Sequence, residues 1–197
     1  MKPKSNYIPP EQFALLLDNV QLVHPRKMSV EDIQMLFKIA KYCGLRISEA
    51  IRLKAEDFDL ELKEVYLGTT KTNKHDKATI PAHFIEELSS WLGLKKGNLF
   101  RTNRRTVDYW LRKLGKALDI AALTTPQSET GEKTKCHIFR KSIGKDYLLQ
   151  GMPLNLVMAK LRHKDLGTTT QYLKLNLEDV KQAEIAMVAA QKGDNVQ

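Results

Sequence analysis

Apolar positions recur along this chain at two periods, and the switch between them marks out its elements. Gln12–Asn19 carries a short helical pattern. Ile33, Leu36, Phe37 and Ala40 follow Ser29 at i, i+3, i+4, i+7 spacing, which predicts a serine-capped helix ending at Gly44. Leu45–Leu53 resumes the pattern with Ser48 and Glu49 near its start, so Arg46 falls at a tight helix–helix junction. Between 57 and 81 the period shortens. Phe58–Leu60, Val65–Leu67 and Ala78–Ile80 are β-like runs separated by Glu61–Glu64 and by a polar turn, Thr69–Lys77. They predict a small three-stranded antiparallel sheet.

Helical spacing returns from Ala82, with Phe84, Leu88 and Trp91 on one face as far as Gly97. Val107, Trp110, Leu111, Leu114 and Leu118 mark the next helix. Ala121–Lys135 is poor in apolar residues and reads as a mobile surface loop. Phe139, Ile143 and Tyr147 then predict a helix carrying His137 and Arg140. Leu154, Val157, Met158 and Leu161 predict one beginning at Pro153. Leu177, Val180, Ala183 and Met187 stripe a final helix, Leu177–Gln191. The expected fold class is mainly α with a small antiparallel three-stranded β-sheet (α+β). The expected organisation is an N-terminal arm or linker stub (1–9), one domain (10–175), a C-terminal helix (176–191) able to pack on its own domain or on a neighbour, and a disordered tail (192–197).

Charge changes this picture more than composition does. The 197 residues carry 32 basic against 23 acidic side chains, a net +9, with a pI of about 9.5. That surplus favours a polyanionic partner, nucleic acid first among them. Arg101, Arg104, Arg105, Arg112, Lys113 and Lys116 lie on or just before one predicted helix, as either a phosphate-contacting stripe or an ordinary solvated face. The two cysteines, Cys43 and Cys136, form no disulfide framework, which suits a reducing cytosol. The five histidines (24, 75, 83, 137 and 163) and the cysteines lack zinc-ligand spacing, so no metal and no cofactor is expected. No apolar run reaches the roughly 18 residues of a membrane span, and the first residues lack the apolar core of a signal peptide. Expected localisation is cytoplasmic, on the chromosome.

The chemistry concentrates in Cys136–Lys174. It holds a His-x-x-Arg pair, His137 and Arg140; then His163; then Tyr172 nine positions on. Cations around one tyrosine suit phosphoryl transfer, since Arg and His hold non-bridging oxygens while Tyr attacks phosphorus. Taken singly, Tyr172 is an ordinary packing tyrosine and Arg46 a structural partner of Glu49. The order and spacing of the set carry the inference.

With these residues in hand, the chain resembles the catalytic domain of the tyrosine recombinases, the phage-integrase family. GLRISEAIRL matches that family's arginine segment, with Arg46 and the acidic Glu49. TTKTNKHDKATIP matches its β-hairpin, with Lys71 at the catalytic lysine position and Lys74 and Lys77 as competitors. HIFR and LRHKDLGTTTQY supply His137, Arg140, His163 and Tyr172. The resemblance covers roughly residues 10–190. Two positions depart from it: Lys141 stands where His is usual, and Arg162 where Gly precedes the second His. Where a DNA-clamping domain of about a hundred residues usually precedes the catalytic one, about ten residues stand here, as expected of either a separated catalytic fragment or a minimal member that grips DNA less completely.

The resemblance implies metal-free cleavage and rejoining of double-stranded DNA through a 3′-phosphotyrosine on Tyr172. Arg46 and Arg140 would clamp the phosphate, with His163 as a further donor, His137 as base or relay, Lys71 as acid to the 5′-oxygen, and Glu49 in support. Lys74, Arg104, Arg105, Arg112, Lys141 and Arg162 would contact DNA. It also implies a homo-oligomer, a tetramer on two duplexes. Site-specific recombination or integration, type IB topoisomerase-like nicking and closing, and catalytically silent DNA binding remain the three open functions.

Overall fold

The computed structural model describes residues 7–23, 27–69, 75–93, 95–126, 135–163 and 181. Helix α1, Pro10–Asp18, begins with proline at its first position, where the missing N–H is no loss, and buries Phe13, Leu16 and Leu17. After a 3-10 turn at Val20–Val23 comes α2, Val30–Tyr42. Ser29 caps it, accepting from the Asp32 N–H at 3.0 Å, with Glu31 and Asp32 in the positive first turn. Ile33, Met35, Leu36, Phe37, Ile39 and Ala40 are all buried, so α2 is enclosed nearly all round and forms the axis of the domain.

The end of α2 sets up the site. Gly44 takes φ +65°, its N–H donates to the Lys41 carbonyl at 3.0 Å, and the Leu45 N–H donates to the Ala40 carbonyl at 2.9 Å. This paired closure reverses the chain on a left-handed residue and buries the next side chain, Leu45. Arg46 follows in extended conformation and starts the single turn α3, Ile47–Ala50.

Strands β1 (Phe58–Asp59), β2 (Glu64–Thr69) and β3 (His75–Thr79) form the predicted antiparallel sheet in order β1-β2-β3. Val65 pairs with Phe58 on one side and Ala78 on the other, and Val65, Ala78 and Ile80 face the core. The second turn is shorter than expected. Lys77 belongs to β3, opposite Tyr66, pairing with Glu64 at 2.6 Å and lying over the Tyr66 ring. An exposed strand face is as polar as a turn, so the composition of 69–77 did not separate them.

Helix α4, Ala82–Leu92, buries Phe84, Leu88, Trp91 and Leu92 and stops at Gly93, at φ +44°, not at Gly97. Helix α5, Arg104–Ala117, is capped by Asn103 and buries Val107, Trp110, Leu111 and Leu114. The predicted loop after it needs correction at both ends. Ala121–Thr124 is a helical turn, α6, with Ala122 and Leu123 buried, and Lys135 is 2% exposed with its Nζ donating to the Thr125 carbonyl. The reason lies in α5: a Cβ on Gly115 would come within 2.3 Å of the Leu123 Cβ, so the missing side chain admits α6. Residues 127–134, at the centre of that loop, lie outside the described residues.

Helices α7 (Ile138–Leu149) and α8 (Leu154–Lys160) complete the described chain. Phe139 of α7 packs between Phe37 and Phe13, with ring centroids 5.0 and 5.5 Å away. A smaller cluster of Ile143, Val157 and Leu161 fixes α8 on α7. Inside this packing Lys41 and Asp146 form an ion pair at 2.9 Å, their side chains 3% and 8% exposed, and the Tyr7 hydroxyl donates to Asp146 at 2.6 Å. The Ile8 N–H donates to Ser142 Oγ at 3.0 Å, which seats the start of the described chain on α7. The predicted C-terminal helix, Leu177–Gln191, lies outside the described residues except Lys181.

Candidate functional site

Arg140 is the largest fully buried side chain, 1% exposed. Its Nη1 donates to the Gly44 carbonyl at 2.8 Å, and its Nη2 donates to the Leu161 carbonyl. Gly44 lies two residues before Arg46, and Leu161 two before His163. One guanidinium on α7 therefore ties the α2–α3 turn to the end of α8, and brings three distant segments of the sequence to one place. Arg has the geometry for this, because its planar fork presents donors in fixed directions to two acceptors at once.

Glu49 makes a second tie. Its carboxylate accepts from the Arg46 N–H at 2.7 Å and from Arg46 Nη1 at 2.8 Å, and closes α3 in the same stroke. It also accepts from Arg162 Nη2 at 2.7 Å. Burial pushes the Glu49 carboxyl up, but Arg162, the Arg46 backbone N–H and the Arg46 side chain outweigh it and hold the group below the ordinary carboxylate range. Glu49 is therefore ionised at neutral pH. The Arg46 side chain remains 44% exposed.

His137 stands at the start of α7 and is half-buried. Burial lowers its pKa, and the charges of Arg104, Arg46 and Arg140 lower it further, with Glu49 opposing in part. It is neutral at pH 7 and able to accept a proton. His163 follows Leu161 by two, with its N–H on the Met158 carbonyl at 3.0 Å. Lys160, at the end of α8, donates to the Thr79 carbonyl and to Thr79 Oγ1, both at 2.8 Å, and so fastens α8 to β3. Burial pushes its pKa down to about 8.

The structure thus gathers Arg46, Glu49, His137 and Arg140, with the backbone of His163 two residues beyond the Leu161 carbonyl that Arg140 holds. Lys71, Lys74 and Tyr172 lie outside the described residues. Of the expected DNA contacts, Arg104 and Arg105 are exposed at the start of α5, while Arg112 is exposed and paired with Asp108 at 2.8 Å. Lys141 is 6% exposed and the Arg162 side chain 11%, so both are enclosed in the domain. Sequence reasoning missed Asp76, 3.6 Å from Arg162 Nε, and the Gly44 and Leu161 carbonyls, for which Gly44 was the available signal. It placed Arg104 on a DNA stripe without its effect on His137.

Guanidiniums around one carboxylate and a neutral histidine have the chemistry to accept an oxyanion. Among the described residues no three His, Cys, Asp or Glu side chains converge as metal ligands, and no helix is long and apolar enough to cross a membrane.

The phage integrase family model matches residues 6–179. The chain belongs to the phage integrase family. Within it, the chain is 26% identical over 163 residues to tyrosine recombinase XerA of Thermococcus onnurineus, covering 77% of this chain and 54% of that one. It is 28% identical over 149 residues to tyrosine recombinase XerC of Neisseria meningitidis, covering 74% and 48%. The chain spans about half the length of these curated relatives. The family fold is also seen in the catalytic domain of bacteriophage HP1 integrase, with TM-score 0.61 at 19% identity over 90% of this chain and 92% of that domain. XerH site-specific recombinase, in a post-cleavage complex with palindromic difH substrate, superimposes with TM-score 0.64 at 23% identity over 93% of this chain and 53% of that one.

Proposed function

We propose that this chain is the DNA-breaking and rejoining part of a site-specific recombinase, acting through a covalent 3′-phosphotyrosine on Tyr172. The observation that carries this reading is the Arg140 cross-tie, which brings the Arg46 and His163 segments together beside a neutral His137. Membership of the family, the post-cleavage complex of XerH with its palindromic difH substrate and the complex of Tn1549 transposon integrase with circular intermediate DNA support double-stranded DNA as the substrate.

Tyr172 Oη attacks the scissile phosphorus as the bond from phosphorus to the 5′-oxygen breaks. The phenolic proton goes to His137, since free tyrosine, with a pKa of about 10, is a poor nucleophile at neutral pH. The departing 5′-oxygen takes its proton from Lys71. Arg46 and Arg140 hold the negative charge that grows on the non-bridging oxygens, His163 donates alongside them, and Glu49 keeps Arg46 oriented through its backbone N–H. Rejoining is the reverse: the 5′-hydroxyl attacks the phosphotyrosine and releases Tyr172.

Arg104, Arg105 and Arg112 on α5, with Lys74, contact the flanking phosphates. Lys141 and Arg162 act from within the domain. The working form is a tetramer on two duplexes, with 176–191 exchanged between protomers, on the chromosome in the cytoplasm.

The test is covalent capture on nicked duplexes randomised around the nick, with chelator present, for wild type beside Tyr172→Phe. A DNA-linked species from wild type that is absent from the variant is expected. No Tyr172-dependent adduct from the pool overturns the reading. Strand exchange between two selected duplexes, as against relaxation of a supercoiled circle, separates recombinase from topoisomerase.

A further inference from the structure

Arg162, immediately before His163, has φ +52°. Glycine enters that left-handed region without cost; an arginine does so against its own side chain. What the side chain touches holds it there. The guanidinium is 11% exposed, with Nη2 on Glu49 Oε2 at 2.7 Å and Nε 3.6 Å from Asp76 Oδ2 on β3. Among the described residues, Nε and Nη1 are buried without a hydrogen-bond acceptor. One carboxylate thus serves two guanidiniums: the enclosed Arg162 and the 44% exposed Arg46.

We propose that Arg162 is a positioning residue that keeps Glu49 compensated, so that the Arg46 guanidinium can leave it for the DNA phosphate. The inference rests on the DNA-cleaving reading above. Were Arg46 the sole counter-ion of Glu49, carboxylate and phosphate would compete for one guanidinium, and every capture of phosphate would strand a half-buried carboxylate. With Arg162 attached, Glu49 retains a cation and its bond to the Arg46 backbone N–H, so α3 stays formed while the side chain turns. The Asp76 contact extends the same tie to β3.

The experiment is a double-variant cycle on the full chain: wild type, Arg162→Gly, Glu49→Gln and the pair, with Arg162→Lys beside them. Each is measured for rate of Tyr172-dependent capture on the nicked-duplex pool, for duplex affinity and for thermal unfolding. Glycine suits the left-handed backbone, so Arg162→Gly is expected to fold. Its capture rate should fall about tenfold, in the range of coupling between contacting charges, with duplex affinity changed less than about twofold. Arg162→Lys, which retains the charge, should recover part of the rate. In the Glu49→Gln background, where no carboxylate competes for Arg46, the effect of Arg162→Gly should shrink below about threefold. Equal losses in both backgrounds would show that Arg162 does not act through Glu49, and would overturn the proposal, as would an unchanged rate in Arg162→Gly. A wild type without adduct overturns the cleavage reading and this inference together; an adduct with an additive cycle overturns this inference alone.

Discussion

Replacing Arg140 should unfold the domain more easily as well as stop its chemistry. The side chain is 1% exposed and donates to two backbone carbonyls, Gly44 and Leu161, which close different helices. A hydrogen bond from a charged donor contributes about 1.5–3 kcal/mol, and a buried carbonyl left unpaired costs a similar amount. Arg140→Lys can serve one carbonyl well and the other poorly, for a loss of about 1.5–3 kcal/mol. Arg140→Met serves neither, for about 3–6 kcal/mol, less whatever is regained by no longer burying a cation. At about 2–4 °C per kcal/mol for a domain of this size, the lysine variant should melt roughly 3–12 °C below wild type, and the methionine variant further still. Scanning calorimetry at pH 7 gives the shift. Amide hydrogen exchange should locate the loosening at residues 44–46 and 161–163. A methionine variant that melts within about 2 °C of wild type, with unchanged exchange there, would refute the cross-tie as a structural element.

Three further outcomes follow from other parts of the fold. Asp146→Ala leaves Lys41 enclosed without its carboxylate and should cost about 3–5 kcal/mol in urea unfolding, while Lys41→Met with Asp146→Leu should restore most of it; equal losses in the single and paired variants would count against the pair. Gly115→Ala forces Leu123 and its backbone away from α5 and should destabilise by about 1–3 kcal/mol, against the gain of a few tenths to about 1 that alanine ordinarily brings to a helix interior; a more stable variant would mean α6 yields freely. His137 should titrate below 6.5 in an NMR pH series of the unliganded protein. Because the unfolded chain binds that proton first, stability should fall as pH drops from 6.5 through the folded value, a loss absent from His137→Gln; a His137 titrating above 6.5 would sink its assignment as a neutral base.

The elements legible in the sequence were those whose burial is one-sided or whose ends carry a special residue. Ser29 and Gly44 bounded α2, and the Gly44 reversal placed Arg46 at the head of α3 as the periodicity required. Strands β2 and β3 were legible because Val65 and Ala78 alternate with polar neighbours. What failed was contact between elements. Ala121–Thr124 reads as loop because its apolar surface is small, and only the close approach at Gly115 makes that surface sufficient. Glycine within a helical pattern was the available signal. Lys77 read as turn because an exposed strand face is as polar as a loop.

The site shows the same limit from the other side. Residue type told that Arg46, Arg140 and His137 suit an oxyanion, and it could not tell how four cationic side chains are held near one another. Arg140 answers by burying its fork on two carbonyls, and Arg46 with Arg162 by sharing Glu49. Arg104 is left as a charge that His137 feels. The Arg140 and Arg162 contacts take acceptors from segments far away in sequence, while Arg46 takes one three residues on. The positive φ at Arg162 belongs to the same arrangement, since a glycine there would leave Glu49 with one guanidinium instead of two. The positive charge of the site is therefore assembled against its own repulsion, and in the proposed function a DNA phosphate would supply the remaining compensation.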